Sequence, residues 1–241
     1  TQAKTLFPYT TLFRSIMYGA YTRKSKVESG KLKVEYWEPS PDEKNDALRD
    51  PYNRFLHVVF TFTNGKQLVL SDVRKFAKVT LLSTNEAHTT KHLDGIGPEP
   101  LDKAFTYSAF KGRVTKKSNG RIKSVLMDQS VVAGVGNIYS DEALWLAGIH
   151  PETVVGKIPE KKLEEVYESV IIVLKKGIDF GGDSTSDYRR IDGTRGEFNG
   201  EHNAYRLTGK PCKKKGCSGV ILRKVVGGRS AHFCSVHQKL F

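Results

Sequence analysis

At 241 residues the chain has room for two modest domains with cores of their own, and no apolar run approaches the roughly 20 residues that cross a bilayer, which excludes a membrane-spanning helix. With 39 Lys and Arg against 26 Asp and Glu, the formal net charge is +13, which predicts attraction to a polyanion and salt-sensitive binding. The 3 cysteines make no even disulfide set and all fall between positions 212 and 234, which points to a reducing compartment and a metal site.

In chain order, Val34 to Asp50 reads as irregular, and its acidic, proline-containing part from Glu38 to Asp50 as a solvated loop. Strand patterns follow from Phe55 to Leu82, namely FLHVVFTFT, KQLVLSD and KVTLL. Asn64-Gly65 between the first two is a strong hairpin signal, so the segment predicts a β-meander. In Asp72-Val73-Arg74-Lys75-Phe76 a cation and an aromatic stand two residues apart, on one face if extended; read alone, this is equally a strand end with a core Phe76 and an exposed Arg74. His92 to Leu101 mixes Gly and Pro and reads as an interdomain linker. Phe105 to Phe110 begins a helix, and Arg113 to Lys123 is a basic segment, in most proteins only a solvated face.

The stretch around which the chain is organised runs from Leu126 to Pro151, LMDQSVVAGVGNIYSDEALWLAGIHP. Apolar residues at helical spacing flank Gly134-Val135-Gly136-Asn137, which predicts helix, tight turn, helix. Asn137 stands where an N-cap belongs, and a helix N-terminus with unpaired N–H groups is an anion site, for phosphate in a basic protein; read by spacing alone, the commoner case is an ordinary helical hairpin whose glycines only permit the turn.

Pro159 to Lys176 predicts an amphipathic helix, with Leu163, Val166, Tyr167, Val170, Ile171 and Leu174 on its apolar face and Gly177 as its stop. The glycine-rich polar loop from Gly181 is too long for a plain connector. Then come Cys212-x4-Cys217, 16 intervening residues and Cys234-x2-His237, two close ligand pairs at tetrahedral zinc spacing. LRKVV and AHFC read as strands joined by Gly227-Gly228, with His232 a less well spaced rival for the fourth ligand. So few residues bury little core, so one structural Zn2+ is expected to stabilise the hairpin outright. Arg229 at the tip can fork two hydrogen bonds onto phosphate oxygens.

Residue by residue, DQSVVAGVGNIYSDEAL followed by AGIHP resembles the helix-two-turns-helix signature of the formamidopyrimidine-DNA glycosylase family, bacterial repair enzymes that excise oxidised purines. The likeness extends from about His57 to the C-terminus. It implies an α+β chain: a partial β-sandwich catalytic domain over 16–92, a hinge over 93–101, a DNA-binding helical domain over 102–205 and a zinc hairpin over 206–241. Leu6 to Ser15 share nothing with the family and look like a translated sequencing-adapter oligonucleotide, so residues 1–15 are set apart as foreign. The family's catalytic proline and glutamate belong upstream of Ile16 and have no match here, which leaves the activity of this chain open.

By resemblance, Asn137 and Arg229 clamp the DNA backbone, and Arg229, linked to the elimination step, is the one catalytic assignment. Arg74 and Phe76 match a loop that enters the minor groove, one facing the widowed base and one wedging the stack. Lys123 matches a lysine near the lesion, Tyr205 lies near the backbone, Lys117 is a weaker phosphate contact, and the loop after Gly181 includes a mobile lid. Cys212, Cys217 and Cys234 match ligand positions; His237 stands where the family normally has a fourth cysteine. The implied activity is a bifunctional glycosylase and abasic-site lyase acting on 8-oxoguanine and formamidopyrimidines in duplex DNA, as a cytoplasmic, nucleoid-associated bacterial monomer. The alternatives are the sister branch acting on oxidised pyrimidines, akin to endonuclease VIII, and a non-catalytic binder of damaged DNA.

Overall fold

The computed structural model describes residues 14–17, 21–28, 32–39, 41, 44, 46–49, 55–64, 67–72, 79, 95–185, 188–190 and 193–241. These belong to two compact units, one comprising Leu81–Ile178 with Gly200–Phe241, the other Thr11–Thr80 with Asp179–Asn199.

In the second unit, β1 (Arg14–Met17), β5 (Gln67–Ser71) and β4 (Leu56–Thr61) form an antiparallel sheet in the order β1-β5-β4. The β4–β5 hairpin is the predicted one, with Thr61 opposite Gln67. On its other side β5 pairs with β1, Ile16 opposite Leu68, while the expected KVTLL strand lies, but for an exposed Val79, outside the described residues. Arg14 and Ser15, set apart as foreign, thus enter the sheet through backbone pairing, which needs no particular side chains.

The expectation of an irregular Val34–Asp50 is also corrected. Leu32–Pro39 is a strand, β3, in continuous antiparallel register with β2 (Tyr21–Glu28), and its LKVEYWEP alternation is a strand period that the flanking acidic residues obscured. Further on, the 3-10 turn Asp46–Arg49 buries Leu48 in a cluster with Leu56 and Val69, Val59 packing beside them. Loop 181–198 closes on itself: Asp183 bridges Glu197, and the Ser184 hydroxyl accepts from the Gly196 N–H at 2.8 Å and donates to the Tyr188 carbonyl.

The first unit carries four helices and a hairpin among its described residues: α1 (Tyr107–Val114), α2 (Ile122–Leu126), α3 (Asn137–Ala147), α4 (Glu160–Asp179), then β6 (Ile221–Val226) and β7 (Arg229–Cys234). Thr106 caps α1 by accepting from the Ala109 N–H. Helix α2 ends at Leu126, earlier than the apolar spacing suggests, because Asp128 turns the chain by accepting from both the N–H and hydroxyl of Ser130. Helix α3 ends at Gly148, whose φ of +72° is the left-handed C-cap geometry.

Helix α4 runs through Gly177, which is not its stop. A Cβ there would lie 2.7–2.9 Å from the Tyr139 ring, so Gly177 serves a close crossing with α3. The chain leaves the helix instead through Gly181 and Gly182, at φ of +68° and +92°. Leu163, Val166, Val170 and Val173 supply the buried stripe, and Phe105, Phe110 and Tyr167 pack rings at its start.

Candidate nucleic-acid interface and metal centre

The turn before α3 is braced by Gln129, almost fully buried. Its side-chain oxygen accepts from the Gly134 N–H at 2.7 Å and its amide donates to the Val135 carbonyl at 2.9 Å. Gly134 takes φ of +77°, which this tight path requires. The helix begins one residue earlier than an N-cap at Asn137 would allow: Gly136 caps in extended geometry and Asn137 is the first helical residue. Asn137 Oδ1 is buried with no hydrogen-bond partner, a polar orphan at a helix N-terminus.

Lys123 lies beneath this turn, not on the surface. Its side chain is 0% exposed, its ammonium pairs with Asp141, and it donates to the Asn137 carbonyl at 3.3 Å. Burial pushes the Lys123 ammonium below its usual pKa, and Asp141 opposes that shift. The second oxygen of Asp141 accepts from the His232 main-chain N–H at 2.9 Å and lies 3.0 Å from His232 Nδ1. The next residue, Glu142, equally buried, accepts from the N–H groups of Asn203, Ala204 and Tyr205 at 2.8–2.9 Å. Neither carboxylate was anticipated from sequence; the only available signal was an acidic pair, Asp141-Glu142, inside an otherwise apolar helix.

The hairpin turn is Gly227-Gly228, both at positive φ, as a two-residue turn matched to strand twist demands. A Cβ on Gly227 would come within 2.2 Å of Ser124 Oγ, so the tip nests against α2. Arg229 is exposed there, and with Ser124, Met127, Asp128, Val226 and Gly227 it lines an open hollow. Lys117 pairs with Asp128 on the same hollow, and this bond holds the Asp128 carboxyl below its ordinary range. Tyr205 lies edge-on to His232 with ring centres 5.0 Å apart. Arg74 and Phe76 lie outside the described residues.

The metal-binding group assembles as its spacing predicts. One ligand atom each from Cys212, Cys217, Cys234 and His237 lie within 4.8 Å of one another. His237 directs Nδ1 at the Cys212 sulfur, 3.3 Å away, and Nε2 at the Trp145 carbonyl, 2.9 Å away. This is the orientation of a metal-bound imidazole held by an outer hydrogen bond. Burial lowers the His237 pKa, favouring the neutral imidazole that binds metal, and the Gly219 N–H lowers that of Cys217, favouring thiolate. His232, turned to Asp141, is outside the group. Three thiols and one imidazole in a closed cluster fit zinc, and Trp145, Ala204 and Ile221 form the small core beneath it.

A braced helix N-terminus and an arginine beside a glycine turn, joined through the buried Asp141 in a chain of charge +13, are features of a nucleic-acid-binding protein. Residues 96–189 match the formamidopyrimidine-DNA glycosylase H2TH domain. The formamidopyrimidine-DNA glycosylase of Bacillus licheniformis is 40% identical over 190 residues, covering 79% of this chain and 68% of that protein. That of Herpetosiphon aurantiacus is 40% identical over 192 residues, covering 80% and 68%. The chain belongs to the formamidopyrimidine-DNA glycosylase family, the base-excision-repair glycosylases and abasic-site lyases of oxidised purines. Among solved structures, it is similar to the Lactococcus lactis Fpg in complex with abasic-site DNA, at TM-score 0.69 and 31% identity over 92% of this chain and 82% of that one. It also resembles the MutM (Fpg) protein of Thermus thermophilus, at TM-score 0.70 and 29% identity over 86% and 76%.

Proposed function

We propose that this chain grips lesion-bearing duplex DNA between the Asn137 turn and the Arg229 fingertip, within a glycosylase and abasic-site lyase cycle acting on 8-oxoguanine and formamidopyrimidines. The observation that carries this reading is the buried, unpartnered Asn137 Oδ1 at the N-terminus of α3, a helix that also holds the strand bearing Arg229. The turn's N–H groups and the Arg229 guanidinium suit two phosphates of one strand, and pinching between them favours rotation of the intervening nucleotide out of the stack.

Lys117 and Tyr205 flank this grip, Lys123 supports it from below, and Arg74 and Phe76 fill the vacated space from the minor groove. Zinc at the four ligands stiffens the fingertip and supplies no chemistry to the reaction. A monomer acting on chromosomal DNA, cytoplasmic and nucleoid-associated, completes the reading.

The test is binding to a duplex carrying a tetrahydrofuran abasic analogue across a salt series. Arg229→Ala is expected to weaken binding about tenfold and to reduce the salt slope by about one. Unchanged affinity and slope would remove the clamp. Borohydride trapping on 8-oxoguanine duplex tests the lyase step, with this chain run beside a version that carries the family's N-terminal proline and glutamate: a covalent adduct from that version supports it, and tight binding without an adduct from either supports a binder.

A further inference from the structure

Lys123, Asp141 and His232 form a buried chain that no requirement of folding alone explains. Lys123 and Asp141 have side chains 0% exposed, and His232 is 6% exposed. Withdrawing an ammonium and a carboxylate from water is costly, and an apolar pair of similar volume would avoid that cost while leaving the buried His232 N–H without its acceptor. What the ion pair adds is direction. Lys123 ends on the carbonyl of Asn137, and Asp141 ends on the backbone of His232, three residues along β7 from Arg229.

A carboxylate has two oxygens with fixed geometry, and here one serves the turn and the other serves the hairpin. We propose that Asp141 is a positioning residue that locks the Asn137 turn and the Arg229 strand into one rigid grip, so that the two DNA contacts are made together or not at all. This rests on the reading of Asn137 and Arg229 as backbone contacts. The substrate feature it selects is the phosphate spacing of a kinked duplex. With the two arms fixed, a strand whose phosphates do not match their separation engages neither contact productively.

The test is a double-variant cycle on the full chain with tetrahydrofuran-containing duplex, using Asn137→Ala, Arg229→Ala and both together. In the native background the double variant is expected to bind better than the product of the single losses implies, by about fivefold, because losing either contact already forfeits the other. With Asp141→Asn the two losses should multiply. Zinc content and melting temperature are read in parallel, since a purely structural role would shift these and leave the non-additivity intact.

Should Asp141→Asn fail to fold, Lys123→Met with Asp141→Leu replaces the ion pair by an apolar pair and is expected to abolish the coupling in the same way. Non-additivity that persists in the backgrounds that fold overturns the proposal. Single variants that bind as well as the native chain overturn the grip itself, a result distinguishable from the first.

Discussion

His237 Nε2 donates to the main-chain oxygen of Trp145 at 2.9 Å, so a residue of α3 aims the one imidazole among the metal ligands. The hairpin is therefore fastened to the helical unit by its own metal site. His237→Ala should lower zinc affinity at least tenfold, whereas His237→Cys should retain zinc and lose only the bond to Trp145, at a cost of about 1 kcal/mol. Zinc stoichiometry and urea denaturation of the two variants separate these effects. Chelation of the native chain should erase hydrogen-exchange protection of β6 and β7 first, because the cluster of Trp145, Ala204 and Ile221 is too small to hold the hairpin alone.

Glu142 gives a second prediction. Its carboxylate is the shared acceptor of three consecutive main-chain N–H groups, at Asn203, Ala204 and Tyr205. Glu142→Ala leaves these donors without an acceptor in a largely buried place and should cost at least about 3 kcal/mol by denaturant titration. A loss under about 1 kcal/mol would show that water replaces the carboxylate.

Gly177→Ala sets two effects against each other. Alanine improves helix propensity by about 1 kcal/mol, but its Cβ would stand 2.7–2.9 Å from the Tyr139 ring, and overpacking of this kind costs about 1–3 kcal/mol. Net destabilisation is expected. Adding Tyr139→Leu should recover part of it, and a single variant as stable as the native chain would refute the close-packing role.

Glu152 supplies the pH prediction. Its hydrogen bond to Lys224 on β6 is the main force holding its pKa below the ordinary 4.5; partial burial opposes this, and charge attraction to Lys224 and Arg121 adds to it. A carboxyl with a depressed folded pKa contributes stability that is fully present above its unfolded pKa and is lost as pH falls through the folded one. Glu152→Gln should therefore destabilise the chain at about pH 6 and converge with the native protein near about pH 3. Parallel melting curves across that window would contradict the assignment.

By itself the sequence determined whatever depends on spacing along the chain: the zinc quartet, the Gly227-Gly228 hairpin, the β4–β5 pair, the apolar stripe of α4 and the glycine break before α3. Each is set by a local period or by ligands close in number, and local geometry leaves few ways to satisfy them. Only the tertiary structure decided where the charges went. Nothing local distinguishes Lys123 in a basic run from its solvated neighbours, nor shows that Asp141 and Glu142 point inward to partners about 60 to 90 residues away, since a buried charge is tolerated only once the fold has delivered its counterpart. Gly177 is the same case in miniature: a glycine near a helix end reads as a stop until the ring of Tyr139 occupies the space that a side chain would need.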